Sequence, residues 1–119
     1  MEKVLFIETG TGIDIHGQNV TTAAERAVKN AVHANSMPGI ESALPDQSLD
    51  NMQVHVKLAV PCDKDKLDYS KVKELIPYGT VTVETLDGGM LTTSGIVLED
   101  QEDESDLMYM VNAAVEVGY

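Results

Sequence analysis

The segment from residue 10 to residue 17 gathers a carboxylate, an imidazole and three glycines into eight positions, reading Gly-Thr-Gly-Ile-Asp-Ile-His-Gly. Asp14 and His16 are two positions apart, so their side chains point the same way if the backbone is extended. Glycine allows sharp bends and a close approach of the backbone to a ligand. The sequence therefore predicts that this segment builds the functional site of the protein.

Two kinds of chemistry suit an aspartate near a histidine. A carboxylate oxygen and an imidazole nitrogen are both ligands of divalent metal ions, so Asp14 and His16 can supply two corners of a metal site. Without a metal ion, Asp14 can orient His16 as a general base. We predict these two residues as the catalytic pair. A purely structural alternative is that Asp14 caps the turn and His16 hydrogen-bonds the backbone.

A metal site needs at least one more ligand, and His33 and His55 are the other histidines of the chain. His33 falls on the polar face of a predicted helix and is expected to face solvent. His55 lies in the middle of a predicted strand, from which it reaches the segment if the two strands are neighbours. We therefore predict Asp14, His16 and His55 as the ligands of a divalent metal ion.

The other site residues are predicted to bind the substrate. The segment leads into a predicted helix, whose free N–H groups and dipole attract a phosphate or a carboxylate. Lys57 would add positive charge, and the amide of Asn112 needs partners in the middle of an apolar strand. The expected ligand is a small polar or anionic metabolite. The residues expected to bind it are Gly10, Thr11, Gly12, Gly17, Lys57 and Asn112.

The elements on either side of the segment follow from hydrophobic periodicity. Residues Lys3–Thr9 are nearly continuously apolar, which predicts a central strand buried on both faces. A helix from about Thr21 to Asn35 follows, with a buried stripe of alanine and valine. Because small side chains let a helix lie close against a sheet, this helix is expected to hold the segment rigidly. A long connection follows over residues 36–51.

The middle of the chain is predicted to form a second helix that lies between strands in the sequence. Met52–Val60 alternates apolar and polar residues, as a strand does, and Asp63–Ile76 has the pattern of a short helix. Thr80–Thr85 is a predicted strand. The glycine pair that follows it predicts a turn, with Met90–Val97 returning beside that strand as a hairpin.

Two segments near the C-terminus differ in character. Residues 99–106 contain six acids in eight positions, which predicts an exposed, self-repelling loop. Residues 107–119 alternate in the manner of a strand, although their methionines and alanines would also suit a helix. The valines and tyrosines of this segment favour the strand.

This element order predicts one α+β domain over residues 1–119, in two layers: a mixed sheet of four to five strands with two helices on one face. The helices leave the other face of the sheet open. The first strand is apolar on both sides, and the last strand places Met108 and Met110 on its second face. The open face is therefore expected to be buried in a homo-oligomer.

The amino-acid composition limits the classes of binding partner and the cellular compartment that we expect for this protein. Twenty acidic against 8 basic residues give a net charge of −12, so nucleic acid and anionic membranes are poor partners. No apolar run approaches the roughly 20 residues of a membrane span, and the first residues have no export-signal pattern. The single cysteine, Cys62, excludes an internal disulfide framework and fits a reducing compartment. The expected location is the cytoplasm.

The segment also carries two resemblances. Residues 10–17 match the signature Gly-x-Gly-x-Asp-x-His-Gly of a small family of conserved hypothetical proteins, and Val54–Pro61 and Val111–Val115 resemble that family too. The family has no assigned activity, so this resemblance supports the choice of site alone. The shorter element Gly-x-Asp-x-His is similar to that of methylerythritol cyclodiphosphate synthase. That similarity implies that Asp14 and His16 bind a divalent metal ion.

The sequence thus leads to two candidate functions. The first is a small-metabolite enzyme, with or without a divalent metal ion, whose site is the segment from residue 10 to residue 17. The second is a non-catalytic oligomer that binds a metabolite or a metal ion.

Overall fold

A computed structural model describes all 119 residues as a five-stranded mixed sheet with its main helix packed on one face, which confirms the predicted α+β architecture. The strands are β1 (Val4–Asp14), β2 (Gln53–Val60), β3 (Thr80–Asp87), β4 (Met90–Thr93) and β5 (Leu107–Gly118), and the helices are α1 (Val20–His33), α2 (Ile40–Ala43) and α3 (Tyr69–Lys73).

The C-terminal strand β5 lies at the centre of the sheet, in the order β1-β5-β2-β3. It runs antiparallel to β1, β2 and β4, whereas β2 and β3 are parallel. The predicted strand at the C-terminus is therefore confirmed. The prediction of a central first strand is wrong, because β1 is an edge strand. Its apolar residues on the second face, such as the exposed Ile7, lie on the open side of the sheet.

Helix α1 packs directly over β1 because two glycines of that strand remove the side chains between them. A Cβ atom on Gly10 would overlap the backbone of Ala27 and Ala31, and one on Gly12 would overlap the backbone of Ala23 and Ala27. The three alanines are fully buried. The close approach fixes the start of α1, and the loop that leads into it, relative to the sheet.

The connection from β3 to β4 differs from the predicted hairpin. β4 pairs with β5 and not with β3, and it continues in the same direction as β3. Gly88 and Gly89 carry the chain sideways across the end of β2, where the Gly88 N–H donates to the carbonyl oxygen of Val60. Gly89 has a φ of 66° and lies so close to the Met110 carbonyl that a Cβ atom would overlap it. The two glycines thus let the chain cross the end of β2, and they do not reverse its direction.

The helix predicted over residues 63–76 is shorter in the structure. Residues Lys64–Lys66 form a 3-10 turn, and α3 begins only after Asp68, whose side chain accepts hydrogen bonds from the backbone of Ser70 and Lys71. Asp63 has a φ of 54°, which a continuous helix does not permit. Residues 36–51 form the expected long connection, which contains α2 and two 3-10 turns.

Candidate functional site

The segment predicted as a site splits into a strand and a loop. Residues 10–14 are the last residues of β1, so Gly10 and Gly12 serve the packing of α1 described above and do not form a turn. The turn itself covers residues 15–19. There Gly17 and Gln18 have φ values of 102° and 45°, the left-handed conformation that glycine adopts most readily.

Asp14 holds the two ends of this turn together. Its side chain is 7% exposed, and Oδ2 accepts a hydrogen bond of 2.8 Å from the backbone N–H of Asn19. Oδ1 lies 3.4 Å from the guanidinium of Arg26, which also donates to the carbonyl oxygen of Ile13 at 2.6 Å. Both carboxylate oxygens are therefore engaged within the chain. This is the structural role that the sequence left as the alternative for Asp14.

His16 is oriented by a carboxylate, but that carboxylate belongs to Asp103. The Nδ1 atom of His16 lies 2.6 Å from Oδ2 of Asp103, and Nε2 makes no hydrogen bond within the chain. The side chain of Asp103 is fully buried, whereas that of His16 is 20% exposed. An imidazole that donates from Nδ1 to a carboxylate keeps Nε2 as the acceptor, which is the geometry of a general base.

Asp103 collects several donors in this position. Besides His16, the backbone N–H of Gly17 donates to it at 2.5 Å and that of Leu98 at 2.8 Å. Burial raises the pKa of Asp103, but the Leu98 and Gly17 backbone hydrogen bonds, and then His16, outweigh burial and lower the pKa overall. The carboxylate therefore stays ionised beside the imidazole at neutral pH.

Gln18 ties the turn to the acidic segment a second time. Its Nε2 atom donates to the carbonyl oxygens of Leu107 at 2.9 Å and Ser105 at 3.2 Å, while its Oε1 atom accepts from the Glu104 backbone N–H at 2.8 Å. The loop of residues 15–19 and the loop of residues 98–107 thus form one hydrogen-bonded unit, which we call the paired loops. Their common anchor is Asp103.

A polar cavity of about 200 Å³ adjoins the paired loops at the start of α1. Lys66 lines it and supplies a positive charge. Helix α1 has no acidic residue in its first turn, so its N–H groups attract an anion, while the carboxylate of Asp63 in the same cavity partly offsets this attraction. The lining residues are Gly17, Gln18, Asn19, Val20, Asp63 and Lys66.

Four of the predicted substrate-binding residues line a different cavity, an open one of about 640 Å³. On the open face of the sheet, Asn112 donates to the hydroxyl of Thr11 at 3.0 Å, and Lys57 lies 2.8 Å from Glu116. This ion pair raises the pKa of Lys57 and lowers that of Glu116. The four residues are Gly10, Thr11, Lys57 and Asn112. Lys57 therefore lies near the strand part of the predicted segment, at Gly10 and Thr11, and does not line the cavity beside the turn of residues 15–19.

His55 does not join the other predicted metal ligands. β5 separates β1 from β2, so the strands of Asp14 and His55 are not neighbours. The imidazole of His55 instead contacts Thr82 and Glu84 of β3, each at 2.7 Å. No group of three or more His, Cys, Asp and Glu side chains is arranged to hold a metal ion. The donor set therefore does not fit the metal site implied by the synthase similarity.

Comparison with known proteins supports the family and the fold. The chain matches a family of conserved hypothetical proteins, the Lin0512 family, over residues 4–117. The chain belongs to this family. No curated protein matches it. The chain is similar to the crystal structure of an FtsZ-like protein of unknown function from Nostoc punctiforme PCC 73102, with a TM-score of 0.86 and 36% identity over 97% of this chain and 93% of that one. No helix is long and apolar enough to cross a membrane.

Asp103 and Lys66 are the residues of the candidate site that sequence reasoning missed. Asp103 is one of six acids in its segment, and nothing in the spacing distinguishes the one that turns inward. Lys66 lies in a 3-10 turn within a predicted helix, where a lysine is an ordinary exposed residue. Only the fold, which pairs the start of β5 with the end of β1, brings them to His16 and the start of α1.

Proposed function

We propose that this protein is an acid–base enzyme for a small anionic metabolite, with His16 as the general base and Asp103 as its positioning residue. The observation that carries the proposal is the 2.6 Å contact between Nδ1 of His16 and the buried carboxylate of Asp103, with Nε2 left free. The anion would bind at the start of α1 beside Lys66, in the cavity that begins one residue after His16.

The proton transfer follows from this arrangement. Nε2 of His16 takes a proton from the bound substrate and becomes part of an imidazolium ion. The ionised Asp103 stabilises that charge without taking the proton itself. The positive charges of Lys66 and of the α1 N-terminus favour a substrate whose own negative charge increases as the proton leaves.

No metal ion takes part in this proposal. Asp14 is already engaged through both oxygens, and His55 lies across the sheet. Elemental analysis of the purified protein tests this point. One equivalent of a divalent metal per chain, lost in a His16→Gln variant, would favour the metal-dependent version of the function instead.

Turnover can be tested without knowing the substrate. The protein is incubated in D2O with pools of small phosphorylated and carboxylated metabolites, and proton NMR detects any signal that is lost, shifted or exchanged. We expect the rate of such a change to fall about a hundredfold or more in His16→Gln, since general-base catalysis typically contributes that much. His33→Gln is the matched control, because His33 is an exposed histidine of α1.

A second candidate function is a non-catalytic metabolite-binding oligomer, favoured by the larger cavity on the open face. Thr11, Asn112 and Lys57 offer a hydroxyl, an amide and an ammonium group there. The two candidate functions place the ligand beside different lysines. Lys66→Met would weaken ligand binding in the first case and Lys57→Met in the second. Ligand binding without any turnover, lost only in Lys57→Met, would replace the enzyme proposal with the binder.

A further inference from the structure

Glu8 is a carboxylate on the helix-covered face of the sheet, among apolar side chains. It is 5% exposed, and its Oε1 atom is buried without a hydrogen-bond partner. Among the buried side-chain oxygen and nitrogen atoms of this chain it is the only one without a partner. Buried polar atoms in folded proteins nearly always have one, so this oxygen points to a group that the chain itself does not supply.

The orphan oxygen belongs to the lining of an apolar cavity of about 240 Å³ near the end of α1. That volume equals about eight water molecules, at roughly 30 Å³ each in the liquid. Nine of the twelve lining residues are hydrophobic, and no lysine or arginine is among them. The apolar surface is supplied mainly by Val32, Met37, Val54, Leu75, Ile76 and Val115.

We propose that this cavity binds a small apolar amine, whose protonated nitrogen pairs with Oε1 of Glu8 and whose hydrocarbon or aromatic body fills the apolar space. A carboxylate buried without a cation calls for a positively charged partner, and a charge-assisted hydrogen bond is the strongest kind it can accept. Glu8 is the one carboxylate of the lining, and no lysine or arginine of the lining repels a cation.

The electrostatic state of Glu8 agrees with a missing cation. Burial raises the pKa of Glu8, and a side-chain hydrogen bond from Asn35 offsets only part of this effect. The other polar side chains of the lining are His33 and Tyr78. Both are exposed at the surface, so they form the mouth of the cavity and leave its interior apolar.

This site is separate from the one around His16. Glu8 and Asp14 are six residues apart on β1, a distance of roughly 20 Å along an extended strand. The paired loops lead into the first turn of α1, whereas the cavity is lined by its last residues, Val32 and His33. The amine proposal therefore does not depend on the proposed enzyme function.

Binding is tested with two probes that share a benzene ring and a two-carbon linker. Phenethylamine carries an ammonium group, and phenethyl alcohol is its neutral counterpart. We expect calorimetry on the wild-type protein to give an affinity for the amine at least about tenfold higher than for the alcohol. Equal affinity for the two probes, or binding of neither, would overturn the proposal.

Three variants locate the binding. Glu8→Gln keeps the shape of the side chain and should lower the amine affinity about tenfold or more, while Glu74→Gln removes the same charge from an exposed position next to Leu75 and should leave it unchanged. Val32→Phe fills the cavity but keeps Glu8, so it should lower the affinity for both probes. Undiminished amine binding by either Glu8→Gln or Val32→Phe would show that the amine binds elsewhere and would refute the site.

Discussion

His16 and Asp103 are 87 positions apart in the sequence, yet their contact is the centre of the candidate site. The sequence predicted Asp14 as the carboxylate that orients His16, whereas in the structure Asp14 contacts Asn19 and Arg26 and the carboxylate beside His16 is that of Asp103. Spacing along one strand identifies residues that share a face. It cannot identify a partner from a distant loop, so the contact between Asp103 and His16 is apparent only in the fold.

The lowered pKa of Asp103 has a direct consequence for stability. A carboxylate with a depressed folded-state pKa contributes stability above its ordinary value of 3.8, and this contribution is lost as the pH falls through the lower folded-state pKa. We expect Asp103→Asn to be less stable than wild type at neutral pH. The difference should shrink as the pH falls below 3.8.

Urea unfolding over a pH series measures this difference. Asp100→Asn is the matched control, because Asp100 is an exposed acid of the same segment and should leave the pH dependence nearly unchanged. A constant difference between wild type and Asp103→Asn from neutral to acidic pH would mean that the Asp103 carboxylate is not preferentially ionised in the folded protein.

The elements most accurately predicted were those with a strong local pattern. Helix α1 spans Val20–His33 against an expected range of about Thr21 to Asn35, and β2 ends at Val60 as expected. Pairing between strands was predicted less well. The Gly88-Gly89 pair has the local chemistry of a hairpin turn, but the vacant edge of β5 beyond the end of β2 provides a better partner for β4. The residues of the turn do not indicate whether β4 pairs with β3 or with β5.

A substitution at Gly12 tests whether the close packing of α1 on β1 requires a glycine at this position. In Gly12→Ala the added Cβ would overlap the backbone of Ala23 and Ala27, which cannot move without shifting the helix. We expect a loss of about 1–3 kcal/mol in the free energy of unfolding, as for other overpacked cores. Chemical denaturation measures it.

Gly39→Ala is the control for that substitution. A Cβ atom at Gly39 would have no neighbour within 4 Å, and its φ of −93° suits any residue. We expect Gly39→Ala to be neutral or slightly stabilising. If Gly12→Ala were equally well tolerated, the packing of α1 would not require the glycine. That result would favour the ligand-binding role that the sequence predicts for Gly12.

At the scale of the whole molecule, the sheet has one face covered by α1 and one open face. The open face mixes ion pairs such as Lys57–Glu116 with large apolar side chains. Ile7 is 64% exposed and Leu86 is 44% exposed. The molecule is elongated, with principal extents of 52 × 25 × 22 Å, so the layer is thin and buries little of its own second face. These features fit the homo-oligomer that the sequence predicts.

Two lysine substitutions test whether the open face joins subunits. We expect the wild-type protein to sediment as an oligomer and the double variant Ile7→Lys/Leu86→Lys to approach the monomer mass of 12.9 kDa, since burying the added charges would be costly. Ser42→Lys adds a lysine on α2, away from the sheet, and should leave the mass unchanged. A wild type that sediments as a monomer at all concentrations would contradict the prediction.

The proposed chemistry depends first on which nitrogen of His16 carries the proton. Long-range ¹⁵N–¹H correlation spectra distinguish the two neutral tautomers of a histidine. We predict that the neutral His16 ring is protonated on Nδ1, where it donates to Asp103, and that Asp103→Asn changes the tautomer populations while leaving those of the exposed His33 unaltered. A wild-type ring protonated on Nε2 would have no free acceptor for a substrate proton, and it would contradict the assignment of His16 as the general base.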